Sequence, residues 1–553
     1  MLFQIKFIYV VAFLILAAIF NTNAQNSKPD FGSPVNIPIS LAGNFCEIRP
    51  NHFHSGIDIR TNGKEGLPIF SIGDGYVSRI KVSPTGFGKV VYINHPEGYT
   101  SVYAHLSSFI PSLDAFVDSI QKSNESYDIE VFPDTKLFPI LKGDTIAISG
   151  NSGSSASPHL HFEIRDLKSE EPLNPLVFLN YQDSIAPVIR GIRAVQVIDD
   201  YDYLVSDTLN PIQLHDSSIN ILCTGKYYFE IKGTDNSNDS YGNYYSILAK
   251  TLDGDTLYFT KYDRFNFDET RLVNASINYE SLVNSKSEWI RLYLLPINKS
   301  TLFKKTKSKS LQIGNQLQKV IISVADFNGN TTCDTIQLIG SKVSEIKRKY
   351  DDIVCRHYDE SFSFPFKYGF VNIIAYGIDN SFCYPLTNYD TVPESTTFLI
   401  GDPSVPLLKN AVVVIQKKLS PNFWLCERNS KNELTGTSFK LDSVKYGYQT
   451  TIKKMGWYSL EQDSVAPQLI KVFSEKDPIT KEQKNTLLKI SDDISGVKKA
   501  NVFINNKFIP CEFDLKNSTV IIKGIYMNKT NNIDLFLIDY QGNNNRIASI
   551  SIN

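Results

Sequence analysis

Residues 158–164 read Pro158-His159-Leu160-His161-Phe162-Glu163-Ile164. Apolar and polar side chains alternate along this stretch, which is the period of a half-buried β-strand. His159 and His161 are therefore expected on one face of the strand, close enough to serve one small centre. Two imidazoles on one face of a rigid strand suit a metal ion. A His-x-His pattern alone is weak evidence, because paired surface histidines are common.

A second segment upstream supplies further metal-ligand chemistry. His54 and Asp58 stand four residues apart within residues 51–59. An imidazole and a carboxylate are both good zinc ligands, and one strand histidine would complete a three-ligand set with a position open for water. His52 shares a strand-like face with His54 and competes with it as a ligand. The Gly56 bend favours His54, but the spacing leaves both histidines open.

His105 lies in a third segment, residues 100–106. The alternation there predicts that Val102, Ala104 and Leu106 face the core and that Tyr103 and His105 face the other side. Taken alone, His105 is an ordinary surface histidine. Six of the eight histidines nevertheless precede residue 165, and clustering of site-type residues indicates a functional site.

Together these segments carry a family resemblance. Residues 40–180 resemble the zinc metallopeptidases of the lysostaphin/LytM type, which are bacterial cell-wall endopeptidases with a duplicated hybrid motif fold. The matching elements are His54-x-x-x-Asp58, Tyr103-Ala104-His105-Leu106, His159-Leu160-His161-Phe162-Glu163-Ile164, and the glycine-rich approach Gly143-Asp144 with Ser149-Gly150-Asn151-Ser152-Gly153.

The resemblance implies a role for each matching residue. It implies that His54, Asp58 and His161 ligate one zinc ion, and that His105 and His159 stand beside the metal as catalytic histidines. All five are present, so the chain does not resemble the degenerate, non-catalytic relatives. It also implies a small, mostly antiparallel β-sheet domain with the site in a groove on the sheet.

Two features depart from the family pattern. Ala156-Ser157 stand where the family often has glycine, and extra residues separate His105 from Gly143. Within this insertion apolar residues follow helical spacing after Pro111, so a helix is expected as one wall of the substrate groove; they are Leu113, Phe116, Val117 and Ile120. Asn44 lies upstream of the first candidate ligand. It either caps the zinc in a latent, inhibited form of the enzyme or is an ordinary loop residue.

The N-terminus indicates export. Residues 1–24 have the form of a secretory signal peptide, with Lys6 followed by a 14-residue apolar run over residues 7–20. The run is short for a bilayer core of about 30 Å, and no basic stop-transfer cluster follows it. We therefore expect an exported chain without a stable membrane span after cleavage, in the periplasm or cell envelope, with the extracellular space left open.

The length and composition of the chain predict several β-rich modules. A chain of 553 residues is too long for a single compact core. Its 63 tyrosines and phenylalanines favour β-structure. Two elements also recur, Gln182–Pro187 as Gln462–Pro467, and Asp326–Asn330 as Asp539–Asn543. These pairs resemble bacterial immunoglobulin-like sandwiches. Turn chemistry explains the second element, with calcium binding by its aspartate as the alternative.

The predicted fold class is mainly β, an antiparallel LytM-type peptidase domain followed by two or three β-sandwich, immunoglobulin-like modules. The predicted divisions are 1–24 (signal peptide), 25–181 (LytM/lysostaphin-type peptidase domain), 182–340 (β-sandwich module), 341–461 (β-rich module) and 462–553 (immunoglobulin-like sandwich). Seven scattered cysteines do not form a disulfide framework. Cys223 with Cys333, and two of Cys355, Cys383 and Cys426, are candidate pairs, and Cys46 is expected to be a buried, inert thiol.

We therefore expect an exported zinc endopeptidase that hydrolyses peptide cross-links of bacterial peptidoglycan. One alternative is a non-hydrolytic envelope protein that binds wall peptides or activates another hydrolase, and another is an adhesin-like array of β-modules. The expected partners are peptidoglycan peptides and, through the β-modules, other envelope proteins. Lys and Arg total 56 against 58 for Asp and Glu, so the charge does not favour nucleic acid.

Overall fold

The computed structural model describes residues 28–198, 203–204, 219–235, 244–295, 298, 300–303, 306–341, 353–355, 361–374, 383–385, 397–420, 422–476, 483–524 and 532–550. The predicted signal peptide, residues 1–24, lies outside the described residues. Within them, no helix has both the length and the apolarity needed to cross a bilayer.

Residues 41–173 build one large antiparallel sheet. Eleven strands join in it, with the central order β1-β4-β12-β8-β7-β6-β10, and β2 pairs separately with β3. The strands are β1 (Leu41–Gly43), β2 (Ile48–Arg49), β3 (His52–Phe53), β4 (Ile57–Arg60), β5 (Pro68–Phe70), β6 (Gly75–Val82), β7 (Lys89–His95), β8 (Tyr99–Phe109), β9 (Ile129–Val131), β10 (Pro139–Ile140), β11 (Thr145–Ser149), β12 (His159–Asp166) and β13 (Pro172–Leu173).

The helix expected in the insertion is confirmed. Helix α1 (Pro111–Asn124) begins with proline in its first turn, where the missing N–H has no intrahelical partner to lose. Leu113 and Val117, one turn apart, are buried in the domain core. The helix ends at Asn124, and the next residue, Glu125, caps it with a left-handed φ of 44°.

Residues 188–341 form two further sheets, of five and six strands. The strands are β14 (Val188–Ile198), β15 (Tyr203–Leu204), β16 (Ile219–Cys223), β17 (Gly225–Thr234), β18 (Ser246–Thr251), β19 (Thr256–Lys261), β20 (Ile290–Arg291), β21 (Lys307–Ser308), β22 (Leu311–Ile313), β23 (Gln318–Ala325) and β24 (Thr331–Ser341). Helix α2 (Tyr279–Ser285) and 3₁₀ turns Pro175–Val177, Phe267–Ala275 and Thr301–Phe303 accompany them. Strand β16 runs parallel to β24.

Residues 353–462 form a five-stranded sheet, a four-stranded sheet and one separate strand pair. The strands are β25 (Ile353–Cys355), β26 (Phe362–Phe366), β27 (Gly369–Ile373), β28 (Cys383–Pro385), β29 (Thr397–Ile400), β30 (Ala411–Ile415), β31 (Phe423–Arg428), β32 (Leu434–Lys440), β33 (Asp442–Val444), β34 (Gly447–Ile452) and β35 (Gly456–Gln462).

The last module consists of two four-stranded sheets. The strands are β36 (Gln468–Lys476), β37 (Gln483–Ser491), β38 (Val497–Ile504), β39 (Lys507–Ile509), β40 (Glu512–Asp514), β41 (Thr519–Lys523), β42 (Ile533–Asp539) and β43 (Asn544–Ile547). Leu488 and Val520 of one sheet share a core with Val502 and Leu535 of the other. The predicted mainly β, mostly antiparallel fold class is thus confirmed.

The structure contradicts the proposed disulfide pairs that contain Cys333 or Cys426. Cys333 and Cys426 are free thiols, so the Cys223–Cys333 bridge and any bridge through Cys426 are wrong. Cys355 and Cys383 are backbone partners in the β25–β28 ladder. Cys46 is buried, and burial raises the pKa of its thiol well above the ordinary value, as expected of an inert cysteine.

The peptidase-like sheet and the module after it share one continuous hydrophobic core, which extends from Val35 to Leu338. The 3₁₀ turn Phe267–Ala275 lies against β3, where the Thr270 hydroxyl accepts a hydrogen bond from the Phe53 N–H at 2.8 Å. Asn274 donates to Asn51 at 3.0 Å. Residues 28–180 therefore do not form an isolated compact unit.

The repeated sequence elements come together in space. Asp326 and Asn330 close a hairpin turn through the Asn330 N–H and the Asp326 carboxylate, and Asn330 also donates to the Asp183 carbonyl. Asn543 makes the equivalent bond to Asp539 at 2.8 Å and donates to Asp463 at 3.0 Å. The turn interpretation of the Asp-x-x-Gly-Asn element accounts for these bonds.

A third carboxylate joins each pair of aspartates. Asp235 lies close to Asp183 and Asp326, and Asp492 lies close to Asp463 and Asp539. Burial raises the pKa of Asp492 to about 6, together with the negative charges of Asp463, Asp539 and Asp493, although a hydrogen bond from the Gly496 N–H opposes this. Asp492 therefore binds its proton more tightly in the folded state than in the unfolded chain.

Asp492→Asn is expected to raise the melting temperature of the full chain at pH 7 to 8. A raised carboxyl pKa stabilises the fold below about pH 4 and loses that contribution as the pH rises through about 6. The gain is expected to be about 1–3 °C and to shrink towards pH 4, as measured by calorimetry with a chelator present.

The control variant is Asp442→Asn, which changes an exposed carboxylate on β33, outside the cluster. A melting temperature that rises on addition of calcium for the wild type but not for Asp492→Asn would contradict the turn interpretation and favour calcium binding.

Candidate metal centre

Three donor atoms converge at one point of the large sheet. His54 Nε2 lies 3.0 Å from His161 Nδ1 and 3.1 Å from Asp58 Oδ1, and His161 Nδ1 lies 3.0 Å from the same oxygen. All three side chains are buried. Ligands bound tetrahedrally at about 2.0–2.1 Å from one zinc ion lie roughly 3.3 Å apart, so the donor set fits such an ion after small adjustments.

The strand register produces this convergence. In the β4–β12 pair, Asp58 lies directly opposite His161, so their side chains project from the same face of the sheet. His54 enters from the short connection between β3 and β4. A Cβ at Gly56 would lie 2.2 Å from the Phe162 carbonyl oxygen, so only glycine lets the connection pass this close to β12.

Hydrogen bonds fix the orientation of both ligand rings. His54 Nδ1 donates to the Asn44 carbonyl at 2.7 Å, and His161 Nε2 donates to Glu163 Oε1 at 2.9 Å. The facing nitrogens, His54 Nε2 and His161 Nδ1, therefore carry lone pairs. This arrangement is typical of metal-bound histidine. Asn44 acts through its backbone carbonyl, so this contact does not require its side chain.

Glu163 is itself buried and held by charged partners. Arg165 Nε donates to its Oε2 at 2.6 Å, and the Ser55 hydroxyl donates to Oε1. Burial alone would raise the pKa of Glu163, but the charges and hydrogen bonds of Arg165 and His161 outweigh it and lower the pKa to about 2. The carboxylate is thus ionised and supports the electron-donating nitrogen of His161.

Two further histidines, His105 and His159, lie beside the donor set. Their ring centroids are 4.8 Å apart. His105 Nδ1 donates to the Ser152 carbonyl at 2.9 Å, and His159 Nδ1 donates to the Ser157 carbonyl at 2.8 Å. Both rings therefore have Nε2 available for other contacts. His159 Nε2 lies 3.4 Å from Asp58 Oδ1, next to the candidate ligands.

Burial lowers the pKa of His105 to about 3, together with the positive charges that His161 and His159 can carry. Its imidazole is neutral at ordinary pH, so its Nε2 carries a lone pair able to accept a proton. The ring also packs at the edge of Phe87, with 6.4 Å between centroids.

The alternation expected along β8 is wrong at Tyr103 and Ala104, although His105 reaches the site. Tyr103 packs in the main core against Phe162, whereas Ala104 lies opposite His161 on the site face. Regular alternation would then turn His105 away from the site. Its φ of 60° interrupts the alternation within β8 and brings the ring back to the face of His161.

Sequence reasoning missed Phe87. Its ring stacks on His161 at 4.8 Å between centroids, and its carbonyl oxygen accepts a hydrogen bond from the His105 N–H at 2.9 Å. Gly88, with φ of 65°, passes so close to Gly153 that a Cβ would lie 2.5 Å from its nitrogen. An aromatic residue between two glycines, Gly86 and Gly88, was the available signal.

The competition between His52 and His54 is resolved by position. His52 is exposed on β3, and its Nδ1 lies 2.9 Å from the Pro50 carbonyl oxygen. The group of potential ligands contains His54, Asp58 and His161. All five site residues named from the sequence are thus placed at one site.

Comparison with known proteins agrees with this geometry. Residues 52–121 match the model of peptidase family M23. The chain carries an M23 peptidase domain. The matched range contains His54, Asp58 and His105, and β12 follows it with His159 and His161.

The M23 domain is similar to parts of larger curated proteins. An uncharacterized metalloprotease of Haemophilus influenzae is 32% identical over 116 residues, 21% of this chain and 18% of that protein. The DD-carboxypeptidase/endopeptidase Mpg of Neisseria meningitidis is 30% identical over 123 residues, 22% of each chain. This chain therefore spans about a fifth of the length of these relatives.

Among solved structures, a zinc containing peptidase from Vibrio cholerae is 23% identical. The superposed region covers 27% of this chain and 39% of the Vibrio cholerae chain, with a TM-score of 0.20.

Glu163→Gln is expected to weaken zinc binding about 10- to 100-fold, the usual effect of losing a carboxylate that supports a metal-bound histidine. Competition with a chromophoric chelator measures the affinity of the full chain. Glu130→Gln is the matched control, because Glu130 lies on the surface and pairs with Arg79. Equal affinity for both variants would contradict the supporting role, and thermal melting separates it from loss of the fold.

Proposed function

We propose that this chain is an exported, zinc-dependent endopeptidase that hydrolyses peptide cross-links of bacterial peptidoglycan. The observation that supports it most directly is the convergence of His54, Asp58 and His161, each within about 3 Å of the others, beside His105 and His159. Three protein ligands with an open position are the composition of a catalytic zinc site.

Zinc suits this donor set better than calcium or magnesium. Two imidazole nitrogens and one carboxylate oxygen are typical of zinc, whereas calcium and magnesium prefer sets of oxygen ligands. His54, Asp58 and His161 would hold the ion, with Asn44 and Glu163 orienting the two rings.

When bound, a zinc ion lowers the pKa of water and polarises a carbonyl group. The chain's own groups complete the reaction. His105 and His159 would act through Nε2. A proton taken from the attacking water would be held at this nitrogen and would pass from it to the leaving amine. Their Nδ1 bonds to the Ser152 and Ser157 carbonyls hold both rings in a fixed orientation beside the donor set.

The proposed substrate class comes from the relatives. The Neisseria protein, aligned over the M23 domain, is called a DD-carboxypeptidase/endopeptidase, and a similar Vibrio cholerae protein is a peptidoglycan DD-endopeptidase that is 28% identical over 111 residues. Both names support the cleavage of peptidoglycan peptides. The complete set of five site residues favours hydrolysis over the alternative of an envelope protein that only binds wall peptides.

For the division of the chain we propose the boundaries predicted from the sequence. We propose that residues 1–24 direct export to the periplasm or cell envelope and that residues 25–181 are the peptidase domain. Residues 182–340, 341–461 and 462–553 would be the accompanying β-modules, with the two-sheet last module as the immunoglobulin-like member. Their proposed roles are to space the enzyme, to contact the wall and to bind envelope partners.

Digestion of purified peptidoglycan by the full chain tests the proposed function. Mass spectrometry of the released muropeptides is expected to show loss of cross-linked dimers, and zinc chelation is expected to abolish it. Restoring zinc should restore cleavage. Intact dimers in the presence of bound zinc would overturn the proposal and favour the binding-protein alternative.

Single substitutions separate metal binding from proton transfer. His161→Ala is expected to lose metal and activity together. His159→Ala is expected to retain metal but to lose about 10²- to 10⁴-fold in turnover, the usual effect of removing a general acid–base group. Metal content is measured by mass spectrometry of the purified chain and turnover on soluble dimeric muropeptide. Full turnover by zinc-loaded His159→Ala would contradict the assignment of His159 as a general acid–base group.

A further inference from the structure

The last module contacts the peptidase domain at the loop that supports both catalytic histidines. Lys516, in the turn between β40 and β41, extends its side chain to residues 150–158, the connection between β11 and β12. Its Nζ donates to the Asn151 carbonyl at 2.7 Å and to the Ser155 carbonyl at 2.8 Å. One ammonium group thus joins two points of the loop four residues apart.

The same loop orients the two histidines. The Ser152 carbonyl accepts the hydrogen bond from His105 Nδ1, and the Ser155 hydroxyl lies 3.1 Å from His159 Nδ1. Both serines belong to the segment that Lys516 spans. A shift of this segment would therefore move both catalytic rings.

An ion pair anchors Lys516 beside the loop. Lys89 Nζ lies 2.6 Å from Glu512 Oε2, four residues before Lys516, and the Lys89 side chain is largely buried. Burial alone would lower the pKa of Lys89, but Tyr127 and Glu512 outweigh it and raise the pKa. The Lys89 N–H also donates to the Ser152 hydroxyl at 2.9 Å, so the anchor and the loop share this residue.

Further contacts dock the module on the surface around helix α1. Asn501 donates to the Glu125 carbonyl at 2.9 Å, just after the end of the helix. Tyr127 packs against the core of the last module. The attachment therefore involves apolar packing and an ion pair besides the Lys516 contacts.

We propose that Lys516 is a positioning residue for catalysis and that the last module sets the geometry of the loop holding His105 and His159. This proposal rests on the proposed function, because it assigns those two histidines their catalytic role. It gives the C-terminal module a part in turnover in addition to any role as a spacer.

Lys516→Met tests the proposal, because it keeps the aliphatic stem and removes the donors. In the zinc-loaded full chain we expect kcat on soluble dimeric muropeptide to fall about three- to tenfold, the size of effect of one or two charge-assisted hydrogen bonds at a partly exposed site. KM should change little, because the contact orients catalytic groups rather than substrate. Lys516→Arg should restore most of the activity.

A second measurement does not depend on turnover. Amide hydrogen exchange, followed by mass spectrometry, should become faster over residues 150–158 in Lys516→Met and stay unchanged in the control Lys507→Met. Lys507 is an exposed lysine on β39 of the same module. Melting temperature and zinc content should match the wild type in both variants.

These outcomes separate the two proposals. Unchanged exchange and kcat in Lys516→Met would overturn the positioning role, and increased kcat would overturn it in favour of an autoinhibitory contact. A wild-type chain that cuts no muropeptide would overturn the proposed function. Faster exchange in Lys516→Met would then still show that the module holds the loop.

Discussion

The pairing of β12 with β4 on one side and β8 on the other is the constraint on which the site depends. It sets Asp58 opposite His161 on one side and Ala104 opposite His161 on the other. Because side chains alternate between the two faces of a strand, a slip of one residue would send His161 into the core and Phe162 into the site. The buried Leu160, Phe162 and Ile164 oppose such a slip, so the core enforces the register that the site needs.

Buried polar contacts then orient the side chains that this register brings together, so that their donor atoms face one point. Imidazole rings can rotate and change tautomer, and a buried carboxylate is costly without partners. The Asn44 carbonyl and the Glu163 carboxylate fix the two ligand rings, and Arg165 compensates the charge of Glu163. The site is therefore built into the sheet and its immediate hydrogen-bond partners.

The site region also has contacts with modules outside the peptidase-like sheet. One core joins the sheet to the following module, and the last module reaches back across the chain to the loop after β11. The contacts Lys89–Glu512 and Asn501–Glu125 connect residues more than 370 positions apart. A sequence read segment by segment presents these regions as separate units, whereas packing makes them neighbours.

Local pattern determined a good part of the result. Alternation from His159 to Ile164 predicted the central strand, helical spacing after Pro111 predicted α1, and Asp, Gly and Asn in the repeated element predicted its turns. The resemblance named all five residues that the fold brings together. The strand, the helix and the turns could be predicted because they follow from backbone periodicity and turn chemistry within a few residues, whereas the five site residues came from the family resemblance. Only the tertiary structure decided between His52 and His54, turned His105 to the site through a left-handed φ, stacked Phe87 on His161 and brought Lys516 to the loop. Each of these depends on a break in local periodicity or on a contact between distant segments, which arises only when the sheets pack.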